Sequence, residues 1–176
     1  RNSYVTSIQP TASTAFLCGG ATPSIAPIAG TAYLQKTLSG SFLVKNSYLE
    51  AVLERKGMNT QEVWQEIIAM KGSVQYLEGL TDEERAVFRT AYEMNMREIV
   101  QQAADRQPFI DQAQSLNVFF QTPVSGKYMH EVHFLAWKLG VKTLYYLRSS
   151  APIEADKISM KVEKRNLEQE ECAVCQ

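Results

Sequence analysis

The chain opens on an alternating stretch. Ser3–Gln9 (SYVTSIQ) carries β-branched residues at Val5, Thr6 and Ile8 with polar residues between them, the pattern of a strand. Pro10-Thr11-Ala12-Ser13-Thr14-Ala15 then turns into a short helix closed by Gly19 and Gly20. Pro23 and Pro27 keep Ala21–Gly30 an extended loop. A second strand is expected at Ala32–Leu38 or Ser41–Val44, with the Ser39-Gly40-Ser41 turn between them. Asn46 opens a helix running to about Arg55, and Gly57 stops it. Asn59 with Glu62 makes a capping-box pattern for a helix to about Met70, ended by Gly72. Thr81 with Glu84 makes another, followed by the longest helical run, to about Arg106. Its apolar residues Val87, Ala91, Met94, Ile99 and Ala103 keep roughly helical spacing.

The final third is more sharply ordered. Ser115–Phe120 (SLNVFF) reads as a strand, Thr122–Gly126 as a turn, Lys127–Leu139 as an amphipathic helix and Lys142–Arg148 (KTLYYLR) as another strand. Strand–helix–strand of this length implies a parallel β-α-β unit, so the fold class is α/β. After Ala151 the character changes. Residues 154–176 are charged, short of large apolar groups and without sustained period. The expected organisation is therefore a folded part, 1–150, and a mobile tail, 151–176, with no internal repeat.

Composition narrows the function classes. Apolar residues make 45% and charged residues 21% of 176, at a net charge of −1. That balance fits a soluble domain and points away from a nucleic-acid binder or a polybasic membrane module. No uncharged run approaches the roughly 18–20 residues that span a bilayer. The sequence starts at Arg1 without an initiator Met or a secretory leader, which reads as a piece of something longer. One anomaly stands out. From Asn2 to Gln35 there is no Asp, Glu, Lys or Arg, where composition alone leads one to expect roughly seven. Such a stretch is either buried on most sides or lines an enclosed site. Three cysteines, Cys18, Cys172 and Cys175, make no disulfide framework, and a reducing cytoplasmic setting fits them best.

Three constellations could carry chemistry. Pro10–Ala15 places small hydroxyl residues where a helix starts, and the first turn of a helix exposes unpaired N–H groups and partial positive charge. Anions such as phosphate bind there. Without Lys or Arg nearby, the amides and the dipole would do most of the binding. On local features alone the same residues read first as a plain Ser/Thr N-cap. Tyr145-Tyr146 sit near the end of the last expected strand, where neighbours normally point to opposite faces and serve separate packing surfaces. Passing an electron and a proton between them needs a kink that brings the rings together. Cys172-Ala173-Val174-Cys175 has the spacing of a redox dithiol and also of half a metal site. On a flexible tail of roughly 25 residues its reach is on the order of 25–30 Å, enough to visit a pocket and swing out again. The remaining polar and aromatic residues read as structural. His130 and His133 lack a third ligand at metal-binding spacing, so one packed and one exposed is expected. Cys18 reads as packed, Asp111 as a capping or buried acid, and Trp64 and Trp137 as core or interface anchors.

The order of these motifs is more telling than any one of them. A strand leading to P-T-A-S-T-A (Pro10–Ala15), then P-x-I-x-P (Pro23–Pro27), F-I-D-Q-x-Q-S-L-N (Phe109–Asn117), W-K-x-G-x-K-T-x-Y-Y-L-R (Trp137–Arg148) and a terminal C-x-x-C (Cys172–Cys175) resembles the C-terminal segment of class I ribonucleotide reductase large subunits. The resemblance covers essentially the whole chain. It implies the C-terminal portion of a ten-stranded α/β barrel, built from residues 1–150 and followed by the redox tail. By the same resemblance Thr11, Ala12, Ser13 and Thr14 hold a nucleoside diphosphate, and Tyr145 and Tyr146 are a stacked relay carrying a radical from a metal-containing small subunit. Cys172 and Cys175 re-reduce an active-site disulfide and are themselves reduced by thioredoxin or glutaredoxin. The helix Lys127–Leu139 looks like part of the surface receiving the small subunit's C-terminus. The family's catalytic cysteine lies upstream of the matched motifs, and Cys18 does not match it. The resemblance therefore implies a partner chain supplying the rest of the large subunit, with no cofactor bound by this segment. A phosphate-binding or zinc-stabilised scaffold without redox turnover is the alternative.

Overall fold

A computed structural model of the chain describes residues 2–19, 22–37 and 40–150. Residues 3–9 run extended, as their alternation predicts, but make only one parallel bridge, Ile8 to Gln114. The Ser115 N–H donates to the Ile8 carbonyl at 3.0 Å and the Gln112 N–H to the Thr6 carbonyl at 3.1 Å. A side chain does the rest. The Asp111 carboxylate accepts from the amides of Val5 (2.9 Å) and Thr6 (3.0 Å) and from the Thr6 hydroxyl (3.1 Å). Asp111 is thus an exposed clasp on the first segment, neither a helix cap nor buried.

A short helix, α1 (Ala12–Leu17), follows. Both candidate segments for the second strand form, β1 (Ala32–Thr37) and β2 (Gly40–Lys45), as an antiparallel pair with Ala32 opposite Lys45. Helix α2 (Ser47–Arg55) starts where predicted, the Asn46 side chain accepting from the amides of Tyr48 and Leu49. Helix α3 (Gln61–Ala69) is capped by Thr60 rather than Asn59. Asn59 is diverted: its amide oxygen accepts from the Trp64 indole at 2.7 Å and its nitrogen donates to Glu54 at 2.7 Å. Trp64 is buried, and a buried indole N–H needs an acceptor.

The long helical run predicted from Thr81 to Arg106 is broken. Helix α4 (Asp82–Val87) carries the expected Thr81/Glu84 capping box but ends early. A 3₁₀ turn at Ala91–Glu93 intervenes before α5 (Met96–Arg106), capped by Asn95. The backbone between is used elsewhere. The Ala91 N–H donates to the Ile28 carbonyl at 2.7 Å, and the Thr90 N–H to the Glu93 carboxylate at 2.7 Å. Of the predicted apolar face Ala91, Ile99 and Ala103 are buried, whereas Val87, before the break, is 75% exposed.

The predicted β-α-β unit is present: β3 (Val118–Phe120) and β4 (Leu147–Ser149) pair in parallel, with α6 (Gly126–Lys138) between them in sequence. Both strands are shorter than expected. The Leu116 N–H donates back to the Gln114 carbonyl at 2.8 Å, kinking the chain before β3. Before β4, Lys142 is tied to the 107–111 turn, its amide donating to Gln107 at 3.3 Å and its ammonium to the Asp111 carbonyl.

Two apolar clusters result. One joins α5, β3 and α6 through Val100, Leu116, Val118, Phe120 and Val132, and the other joins α2 and α3 through Leu49, Leu53, Trp64 and Ile67. Beside the second cluster the Thr31 amide and hydroxyl both donate to the Gly72 carbonyl, at 3.0 and 2.8 Å, tying the entry to β1 to the turn after α3. Among the described residues the strands make two separate two-stranded sheets, an open α/β assembly rather than a closed barrel. Closure requires a ring of paired strands with no free edge, and this chain carries too few.

Other expectations are corrected on the surface. Cys18 is exposed with a free thiol, since α1 ends there and nothing covers it. Both histidines of α6 are exposed, His133 Nδ1 lying 2.7 Å from the Met129 carbonyl. Trp137 is not a core residue: at 72% exposed it extends an outward row with Phe134. Among the described residues no helix is long and apolar enough to cross a membrane.

Candidate functional site

The uncharged N-terminal stretch forms one side of a cavity of about 300 Å³. Pro10 and Ala12 come from the start of α1, Pro23 and Ala26 from the loop after it, and Tyr145 and Tyr146 from the opposite wall. The charge-free run lines this open cavity only in part, from Pro10 to Tyr33; residues 2–7 are exposed and lie outside it.

Thr11 does not cap the helix. It adopts the left-handed region (φ 47°) with no side-chain cap bond, a conformation that costs free energy for a non-glycine residue. Its hydroxyl instead accepts from the Ser24 N–H at 2.7 Å, and Ser24 is itself left-handed (φ 56°). The first intrahelical bond is Ala15 N–H to the Thr11 carbonyl at 2.9 Å. The amides of Ala12, Ser13 and Thr14 thus take no acceptor among the described residues, as the opening of a helix dictates. The side-chain cap that the same residues also suggested is absent. Of the four predicted residues Ala12 lines the cavity, whereas Thr11, Ser13 and Thr14 are exposed on the adjoining turn.

The two tyrosines come together. Their ring centroids lie 4.2 Å apart at an interplanar angle of 54°, so the rings are in contact and tilted rather than parallel-stacked. Each is about half exposed, at 50% and 51%. Regular strand geometry begins only at Leu147. The opposite-face rule of a pleated strand therefore does not bind this pair. The backbone is nevertheless anchored on both sides of Leu116–Val118: Tyr145 N–H donates to the Leu116 carbonyl and Val118 N–H to the Tyr146 carbonyl, both at 2.8 Å. Hydrogen bonding to the Tyr146 phenol, with that phenol's charge once ionised, pushes the Tyr145 hydroxyl above its ordinary pKa. Tyr145 therefore holds its proton at neutral pH. The Arg148 guanidinium stands 5.4 Å from the Tyr146 ring centroid, within cation–π range.

Sequence reasoning missed several wall residues. It found no cation near the anion turn, yet Lys45 and Arg148 both line the same cavity. Lys45 is already engaged, with Glu50 at 3.4 Å and the Trp64 ring face at 4.7 Å. Ser115 and Asn117 also line it, through alternating positions on the approach to β3. The pattern SLNVFF could have revealed them, since its polar residues fall on one parity and its core residues Leu116, Val118 and Phe120 on the other. Cys172 and Cys175 lie outside the described residues.

Known proteins resemble this chain over most of its length. The sequence profile of the ribonucleotide reductase barrel domain matches residues 1–147. The large subunit of the ribonucleoside-diphosphate reductase of Invertebrate iridescent virus 6 is 45% identical over 157 residues, covering 86% of this chain and 16% of that protein. A putative large subunit from Frog virus 3 is 43% identical over all 176 residues, 31% of its own length. Among solved structures, the Actinobacillus ureae class Id ribonucleotide reductase alpha subunit superposes with a TM-score of 0.76 at 38% identity, over 86% of this chain and 27% of that one. The chain thus spans less than a third of the length of each of these relatives.

Proposed function

The chain belongs to the ribonucleotide reductase barrel-domain family, and from that premise we propose that it is the C-terminal part of a ribonucleoside-diphosphate reductase large subunit, converting ribonucleotides to deoxyribonucleotides. The observation that carries this reading is the single cavity walled on one side by the α1 turn and on the other by the tyrosine pair. One end suits a diphosphate, held by the amides of Ala12, Ser13 and Thr14 with the hydroxyls beside them. The other end suits transfer of an oxidising equivalent. A phenol that keeps its proton loses an electron and a proton together, so Tyr145 and Tyr146 can each pass a hydrogen-atom equivalent without leaving a charged ring behind. A metal-containing small subunit supplies the initial radical, which this chain only conducts.

Each reduction consumes two electrons and releases water, and those electrons come from a dithiol that becomes a disulfide. The Cys172/Cys175 pair is assigned that shuttle: one thiolate attacks the oxidised active-site disulfide and the second closes a disulfide on the tail. Thioredoxin or glutaredoxin then resets it in the cytoplasm. In the family the thiyl-forming cysteine lies upstream of the residues matched here, so upstream residues of the large subunit complete the site.

Reconstitution tests the whole reading. The chain is combined with the upstream large-subunit polypeptide, the small subunit, a ribonucleoside diphosphate and reduced thioredoxin, and deoxynucleotide is quantified. Product formed by the full mixture and lost on omitting this chain is expected. Equal product without it would refute the assignment.

A further inference from the structure

The tyrosine pair is fixed at its backbone and loose at its rings. Main-chain bonds with Leu116 and Val118 set where Tyr145 and Tyr146 leave the chain. Both side chains are about half exposed, and an exposed side chain changes rotamer freely on a fast timescale. Contact between the phenols therefore needs something to hold the rings. The Tyr146 ring meets Tyr145, 4.2 Å away between centroids, and the Arg148 guanidinium, 5.4 Å from its own centroid.

The sheet places Arg148 for this contact. It stands opposite Phe119 in the β3–β4 register, and both residues line the cavity. It follows Tyr146 by two positions, the spacing at which an extended chain returns to the same side. Its charge is also uncompensated. Three cation–ring contacts occur among the described residues: Lys45 over Trp64, Arg97 over Tyr128 and Arg148 over Tyr146. Lys45 is paired with Glu50 and Arg97 with Glu131, so a carboxylate shares each of those cations with its ring. Arg148 makes no ion pair and no hydrogen bond among the described residues. The Tyr146 ring is its anchor, and it receives the whole charge.

We propose that Arg148 is a positioning residue of the tyrosine pair: its planar guanidinium covers one face of the Tyr146 ring and holds that ring against Tyr145. The proposal rests on the radical-relay reading and adds a residue which that reading leaves without a task. A hop from Tyr146 to Tyr145 moves one electron and one proton together. The Tyr145 hydroxyl gives both to the Tyr146 phenoxyl, which returns to a phenol as Tyr145 becomes the phenoxyl. A proton moves only over hydrogen-bond distance, so the hop succeeds only while the phenols touch. The cation adds a second constraint. An electron lost from Tyr146 without its proton would leave a positive ring facing a positive guanidinium. The two therefore leave together.

The test uses the assembled reductase with Arg148→Gln, which keeps a polar side chain without the charge, and with Arg148→Lys, which keeps the charge. Losing an exposed cation–π contact predicts a single-turnover rate of deoxynucleotide formation lower by about twofold to fivefold in Arg148→Gln. Arg148→Lys should recover most of that loss, with cytidine diphosphate affinity unchanged in both variants. A parental rate in Arg148→Gln overturns the proposal. So does a loss matched by weaker cytidine diphosphate binding, which would make Arg148 a substrate ligand instead. A second measurement needs no turnover: fluorotyrosine at position 146 of the large subunit gives a fluorine NMR signal that reports what covers the ring. A shifted signal in Arg148→Gln is expected, and an identical one overturns the contact. If the unsubstituted assembly forms no deoxynucleotide, the reductase reading fails, while the fluorine signal still decides whether Arg148 holds the ring.

Discussion

Tyr145 and Tyr146 show how little room a single residue has in this site. Contact at 4.2 Å between ring centroids depends on the two-residue stretch before β4 escaping strand geometry. Replacing either tyrosine with phenylalanine keeps the ring and removes the ionisable hydrogen. The expected outcome is loss of deoxynucleotide formation with nucleotide affinity unchanged, read by product assay beside equilibrium binding; turnover persisting in either variant would remove the relay. Asp111 makes a separate residue-scale prediction. Amide hydrogen bonds from Val5 and Thr6 and the Thr6 hydroxyl hold its carboxyl below the usual carboxylate range. A group depressed in the folded state stabilises above its unfolded pKa of about 3.9 and loses that contribution as pH falls through the folded value. Protection of the Val5 and Thr6 amides, with intrinsic exchange corrected for, should therefore be greatest near neutrality and fall below about pH 4. Asp111→Asn should make the pH dependence vanish.

At the scale of elements, the contact between the chain entering β1 and the turn after α3 is the sensitive point. Gly72 adopts φ +81°, and a Cβ there would lie 2.6 Å from the Gly30 Cα and 2.8 Å from the Thr31 nitrogen. The obstacle is backbone, which cannot swing away as a side chain can. Gly72→Ala should therefore cost at least about 2 kcal/mol, combining left-handed strain with the clash. Thermal unfolding would register it, and a melting temperature within error of the parent would show that the 30–31 and 72 backbones are not packed together. Gly57, also at positive φ but with open space around it, provides the comparison: its alanine variant carries the conformational cost alone.

At the scale of the whole molecule, the described strands form only small, open-edged sheets. β3 and β4 are a two-stranded sheet, residues 3–9 add one bridge, and Tyr4 and Val5 remain 65% and 75% exposed. Such edges and apolar side chains await further sheet. Cys172→Ser in the assembled enzyme should leave one round of reduction intact and block repeated rounds with thioredoxin, measured as product per site with and without reductant. Sustained multiple turnover in that variant would take the shuttle role from Cys172.

Much of this was legible in the chain itself. Caps at Asn46, Thr81 and the β-α-β rhythm of residues 115–149 are local patterns, decided by hydrogen bonds within a few residues and by which positions are apolar. The order of motifs along the sequence likewise identified the family. Only the tertiary structure decided the rest: the interruption between α4 and α5, the diversion of Asn59 to Trp64, the meeting of two adjacent phenols, and the arrival of Lys45, Arg148, Ser115 and Asn117 at one cavity. Those outcomes depend on partners far away in sequence, such as the Ile28 carbonyl that takes the Ala91 amide. No window of neighbouring residues contains that information, because pairing a buried donor with its acceptor is a property of the packed chain.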